Sequence, residues 1–135
     1  MSHRLILSTL DHVRLAETLA KHRRSSNAYV RAELTYKLRH AKLYEPSLIP
    51  SHVVTMNSRA LLLASSWSAP REYILVYPDR ENCLEQRISV LSALGVRLLG
   101  CRAGSTLKLW NGSRSLQLTC LGLSYQPEAH KQWHL

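Results

Sequence analysis

Seven histidines and three cysteines are the side chains of this 135-residue chain best suited to hold a metal, and their spacing decides what they can do. His130 and His134 stand four apart, an interval that on a helix puts two imidazoles on one face. Pro127 and the nearby chain end argue against a helix there, and apart from Glu128 no acid or cysteine lies at a ligand-like interval. No metal site is expected. Cys83, Cys101 and Cys120 are odd in number and suit neither a disulfide framework nor a CxxC knuckle, so they read as reduced residues used mostly for packing. Serine is frequent but never sits in a GxSxG elbow, and none of the five glycines falls in GxGxxG or GxxxxGK spacing. These patterns predict no catalytic residue and no cofactor.

Charge is the more informative signal. The formal net charge is +9, and it is unevenly placed. Residues 1–44 hold nine Lys/Arg against Asp11, Glu17 and Glu33, whereas residues 45–135 hold nine against six acids. A basic arm on a nearly neutral body fits an anionic partner, either nucleic acid or an acidic protein surface. The arm's densest basic run is Lys21-His-Arg-Arg-Ser-Ser-Asn27, which includes His22, Arg23, Arg24 and Ser25. No apolar run approaches the 18 residues of a membrane span, and the start MSHRLILSTLDH lacks a secretory apolar core. The chain reads as soluble and cytoplasmic, with no membrane partner.

These residues need elements to position them. Leu5–Leu7 can begin a strand or lead into a helix, and Ser8 with Asp11 three residues on makes a capping arrangement for a helix from Thr9 to about His22. Lys21–Asn27 is a poor helix interior and a good loop. Val30, Leu34, Leu38 and Ala41 then mark a second helix from about Ser26 to Tyr44, stopped by Pro46. Glu45–Pro50 reads as a stiff linker, which predicts an N-terminal helical hairpin over 1–48 and a second domain over 49–135.

In that second part Val53–Met56 and Ala60–Ser66 are strand-like runs divided by a turn at Asn57-Ser58-Arg59. Glu72–Tyr77 reads as a central strand, and Arg80–Arg87 as an exposed loop. From Ile88 to Trp110 the hydrophobic period changes twice, giving strand, helix, turn, strand. Ser92 is the expected N-cap, and Gly100 and Gly104 are expected at positive φ. Leu107 and Leu109 should face the core and Lys108 solvent. Asn111-Gly112 predicts a tight hairpin, and the parity change between Leu118 and Leu123 predicts a bulge near Cys120–Gly122. The class is α+β, with an antiparallel sheet and one short helix.

The run Ser92-Ala-Leu-Gly-Val-Arg-Leu-Leu-Gly100, followed by Gly104, resembles the helix-bearing core of the bacterial GreA/GreB C-terminal domain. Ala93 replaces a common proline, and Val96 stands where a basic residue is frequent. His52-Val-Val-Thr-Met-Asn-Ser-Arg59 and Leu123-Ser-Tyr-Gln-Pro-Glu-Ala129 resemble the Rnk branch of that superfamily. The resemblance implies an FKBP-like domain behind a short coiled-coil arm, and a monomer that binds RNA polymerase as a regulator of transcription. By carry-over, Ser92, Leu94, Val96 and Arg97 would form the docking surface, with Leu94, Val96 and Arg97 exposed, and His22, Arg23, Arg24 and Ser25 the hairpin tip. Gre factors carry acids at that tip that help hold Mg²⁺ for transcript cleavage, and Lys21–Asn27 has none. The reading is therefore a non-enzymatic regulator that competes with Gre factors without stimulating cleavage. The Rnk name carries a link to nucleoside diphosphate kinase that no residue here explains. The alternatives are a nucleic-acid-binding protein using the basic arm and, on fold analogy, a peptidyl-prolyl isomerase. The latter is disfavoured in a chain without Phe.

Overall fold

The computed structural model describes residues 5–111 and 113–132. The chain starts in strand β1 (Ile6–Ser8) and enters helix α1 (Thr9–Lys21) with no intervening loop. The Ser8 side chain accepts from Asp11 N at 2.9 Å, so the expected cap forms. His22 closes α1, and Asn27 caps α2 (Ala28–His40) by accepting from the Tyr29 and Val30 amides. The two helices fold back on each other, and His12 Nε2 donates to the Leu38 carbonyl across the hairpin at 3.0 Å. The second helix is shorter than its periodicity suggested. Ala41 is extended, and Lys42–Tyr44 form strand β2, which pairs in parallel with β1. Backbone pairing with a distant segment outweighs helical spacing at these positions.

Five further strands, β3 (Arg59–Ala64), β4 (Arg71–Val76), β5 (Arg87–Ser89), β6 (Thr106–Asn111) and β7 (Arg114–Tyr125), make one sheet in the order β5-β4-β3-β7-β6. The expected fully antiparallel sheet is instead mixed, because β5 runs parallel to β4. Residues 77–86, including two 3-10 turns, carry the chain back to start β5 alongside it. Val53–Met56 is not a strand. Val53 makes a single bridge to Arg102, while the Val54 amide donates to Cys101 O. Asn57 does turn the chain, with φ of 67°. In β7 the register skips Leu121 opposite Leu61/Leu62, the expected bulge, and skips Ser124 opposite Arg59/Ala60. The β6–β7 hairpin pairs Asn111 with Arg114 at its end. Gly112 lies outside the described residues.

Helix α3 (Ala93–Leu98) closes the core over the sheet. Leu62, Leu75, Val96, Leu98, Leu107 and Leu118 are buried there, as are Leu7, Leu15, Val30 and Leu34 from the N-terminal elements. One apolar cluster therefore joins the helical hairpin to the sheet. Leu107 and Leu109 face it and Lys108 is exposed, as alternation in a strand requires. No described helix is long and apolar enough to cross a membrane.

Candidate functional site

Helix α3 is short and held at both ends. At its start Ser92 Oγ accepts from Gly95 N at 3.0 Å and donates to Ser89 O at 2.6 Å. Gly95 allows the close approach to β5, since a Cβ there would sit 1.9 Å from the Ser89 carbonyl oxygen. The last turn leaves backbone carbonyls without helical partners, and a residue far away in sequence satisfies them. Lys37 of α2 donates through Nζ to the carbonyls of Val96 (2.6 Å), Arg97 (3.3 Å) and Leu99 (2.7 Å). A cation at a helix C-terminus also meets the negative end of its dipole. Burial holds the Lys37 pKa below its usual value.

One turn earlier on α2, Glu33 accepts from Arg97 Nε at 2.8 Å, and Arg97 Nη1 donates to Lys108 O of β6 at 2.9 Å. Glu33 and Lys37, four apart on α2, thus share a face that grips α3. Gly100 ends this region at φ of 82°, and a Cβ there would lie 1.5 Å from Leu5 Cδ1. The helical arm and α3 are positioned by the same contacts.

The structure sorts the four residues expected to form a docking surface. Arg97 and Leu94 are half-buried, and Ser92 is half-buried as the cap. Val96, expected at the surface, is 1% exposed, because its side chain points into the core beside Leu98 and Leu99. The exposed members of this surface are instead Ala93, with Lys108 and Trp110 on the neighbouring edge strand. At the far end of the hairpin, Arg23, Arg24 and Ser25 are exposed in the turn and His22 is half-buried. Ser25 Oγ lies 3.4 Å from His22 Nδ1, and Ser26 Oγ donates to His22 O. Each hairpin helix has 13 residues, so the arm is about 20 Å long.

A second set of contacts was not foreseen. Thr55 Oγ1 donates to Glu128 Oε1 at 2.6 Å, and its amide donates to Ser58 Oγ at 2.9 Å. Gln126 Nε2 donates to both Pro50 O and Val53 O at 2.7 Å. Asp11 of α1 reaches the same place and accepts from Met56 N at 3.2 Å. The stretches 52–59 and 123–129 are therefore two halves of one buried latch that also holds α1. Burial, then the nearby Glu128 carboxylate, pushes the Asp11 pKa up to about 7. Burial likewise raises Glu128 and Tyr77. A clue in the sequence was the polar content of these two runs, whose Thr55, Ser58, Gln126 and Glu128 are all buried.

Among the described residues no three His, Cys, Asp or Glu side chains cluster as metal ligands. His130 stacks on Tyr125 with ring centroids 4.9 Å apart, and His134 lies outside the described residues. The three cysteines are free thiols, and burial raises the pKa of Cys101 and Cys120.

Residues 49–125 match the family described as transcription elongation factor, GreA/GreB, C-term. The chain belongs to the GreA/GreB C-terminal family. It falls in the Rnk branch, being 32% identical over 127 residues to the regulator of nucleoside diphosphate kinase of Escherichia coli, across 93% of this chain and 92% of that protein. The GreA/GreB protein of Nitrosomonas europaea superposes with a TM-score of 0.78 at 28% identity, over 90% of this chain and all of that one. Gfh1 of Thermus aquaticus shares the fold alone, with a TM-score of 0.50 at 19% identity over 90% of this chain and 99% of that one. The GreA/GreB match covers β3 to β7 with α3, and the Rnk and Nitrosomonas likenesses extend it to the helical arm.

Proposed function

We propose that this protein is a non-catalytic transcription regulator that binds RNA polymerase near its secondary channel as a monomer in the cytoplasm. It would use the α3 surface around Ser92, Leu94 and Arg97 for docking, and would compete there with Gre factors without stimulating transcript cleavage. Membership of a family described as transcription elongation factors supports the polymerase. The observation that carries the second half is the arm's tip. Residues 22–27 present Arg23 and Arg24 to solvent and contain no carboxylate. Mg²⁺ is a hard cation that takes oxygen ligands, and arginine side chains repel it. An arm of about 20 Å with a cationic end is suited to occupying an entrance and unsuited to delivering a metal ligand. The Escherichia coli relative is named for regulation of nucleoside diphosphate kinase, and we propose the same outcome for this chain.

The test is direct binding to purified polymerase core, followed by displacement with a Gre factor. Saturable binding that the Gre factor reverses is the expected result. Tight, salt-sensitive binding to free nucleic acid with no polymerase binding would instead favour a nucleic-acid protein acting through the exposed Arg23 and Arg24.

A further inference from the structure

A groove of about 920 Å³ opens between α1, the end of the sheet and the turn after β4, and it uses none of the α3 residues. Its floor is set by strand register. Tyr125 pairs with Arg59, Arg59 with Ile74, and Ile74 with Arg87, so these four residues form one row across β7, β3, β4 and β5, and all four line the groove. Neighbouring strands lie about 4.8 Å apart, which puts the Arg59 and Arg87 backbones about 10 Å from each other. The walls add more positive charge. Arg14 and Lys21, two turns apart on one face of α1, form one side, and Arg80 stands on the other. Against these five cations the lining has two acids, Glu17 and Asp79, and Glu85 beside the groove pairs with Arg87, which leaves a positive excess of two.

The floor is braced rather than loose. The Arg59 guanidinium lies 5.9 Å from the centre of the Tyr125 ring, which is stacked on His130 and hydrogen-bonded to Gln132. Glu85 holds Arg87 at 3.4 Å. Four of the five cations are arginines, whose planar fork matches phosphate oxygens two at a time. The volume also falls in the range of small-molecule sites, about 300 to 1,000 Å³. Four guanidinium groups and one ammonium, set on four separate elements, together carry more N–H donors than the oxygens of one phosphate can accept.

We propose that this groove binds a small ligand carrying two or more phosphate groups. Free inorganic polyphosphate and a nucleoside triphosphate share that chemistry, and the probes below separate them. The proposal does not rest on polymerase binding. Calorimetric titration with inorganic triphosphate, ATP and orthophosphate would be run on the full chain, on Arg80→Glu/Arg87→Glu, and on Arg97→Glu, whose change lies outside the groove. Saturable binding of triphosphate or ATP, at least about tenfold weaker in the double variant and unchanged in Arg97→Glu, is expected. ATP binding tighter than triphosphate would assign the nucleotide, and equal binding the bare phosphates. Circular dichroism and urea unfolding check that each variant is folded. No saturable binding of either polyphosphate by the wild type would overturn the proposal. So would orthophosphate binding as tightly as triphosphate, or affinity that survives the double charge reversal. A single-stranded RNA that binds more tightly as its length grows would overturn the small-ligand assignment.

Discussion

Replacing Asp11 by Asn should change how stability depends on pH more than it changes the fold. Asp11 is 4% exposed, and its pKa rises from 3.8 to about 7, first through burial and then through Glu128, against smaller lowering contributions from Met56 N, Arg14 and Tyr77. A raised folded-state pKa means that the native protein binds the proton more tightly than the unfolded chain. The contribution is therefore fully present below pH 3.8 and is lost as pH rises towards and through 7. At about 1.4 kcal/mol per pKa unit the whole span is about 4 kcal/mol, and linkage places roughly 2 to 3 kcal/mol of it between pH 5 and 8. Asn keeps an oxygen able to accept from Met56 N, and it has no charge to desolvate. Urea unfolding at several pH values from 5 to 8 should show wild-type stability falling with pH, and a profile flatter by about 2 kcal/mol for Asp11→Asn. Some slope should remain, because Glu128 is raised as well. Parallel profiles for the two proteins would refute the argument, since they would mean that Asp11 titrates normally in the folded state.

Lys37→Met removes the donor to three carbonyls at the end of α3 and should cost about 1 to 3 kcal/mol in denaturant unfolding, with little dependence on salt because the half-buried ammonium is held by neutral carbonyls at short range. Leu107→Ala should cost about 2 to 5 kcal/mol, because Leu107 is buried opposite Leu118, and a loss under about 1 kcal/mol would contradict that register. Arg97→Glu sets two carboxylates against each other on α2 and α3. The pair is partly exposed, so stability should drop by about 1 kcal/mol or less. Binding to polymerase should weaken at least about tenfold, and unchanged binding by the folded variant would move the interface away from α3.

What the sequence revealed and what it hid divide along the range of the interactions. Features governed by a few neighbouring residues were legible, such as the Ser8 and Ser92 caps, the positive φ of Gly100 and Gly104, and the bulge at Leu121. Features decided by partners far along the chain were not. Lys42–Tyr44 continue the helical spacing of α2, yet pair with β1 some 36 residues earlier. β5 lies parallel to β4, which alternation alone does not specify. Val96 occupies a position on α3 whose exposure depends on which face meets the sheet, and in six residues the pattern is too brief to tell. At the candidate site, Arg97 and the tip residues were expectations drawn from the resemblance, and the contacts of Glu33 and Lys37 with α3 were not among them. Their roles arise only when α2 is laid against α3.

The cleavage claim is the one most exposed to contradiction. A stalled elongation complex carrying RNA labelled at its 5′ end can be incubated with this protein alone, with a Gre factor alone, and with the Gre factor at rising concentrations of this protein. The account predicts no shortening of the transcript with this protein alone and progressive loss of Gre-dependent shortening in the mixture. Shortened RNA on adding this protein by itself would show that an arm with no carboxylate at its tip can still drive the reaction, and would contradict the account.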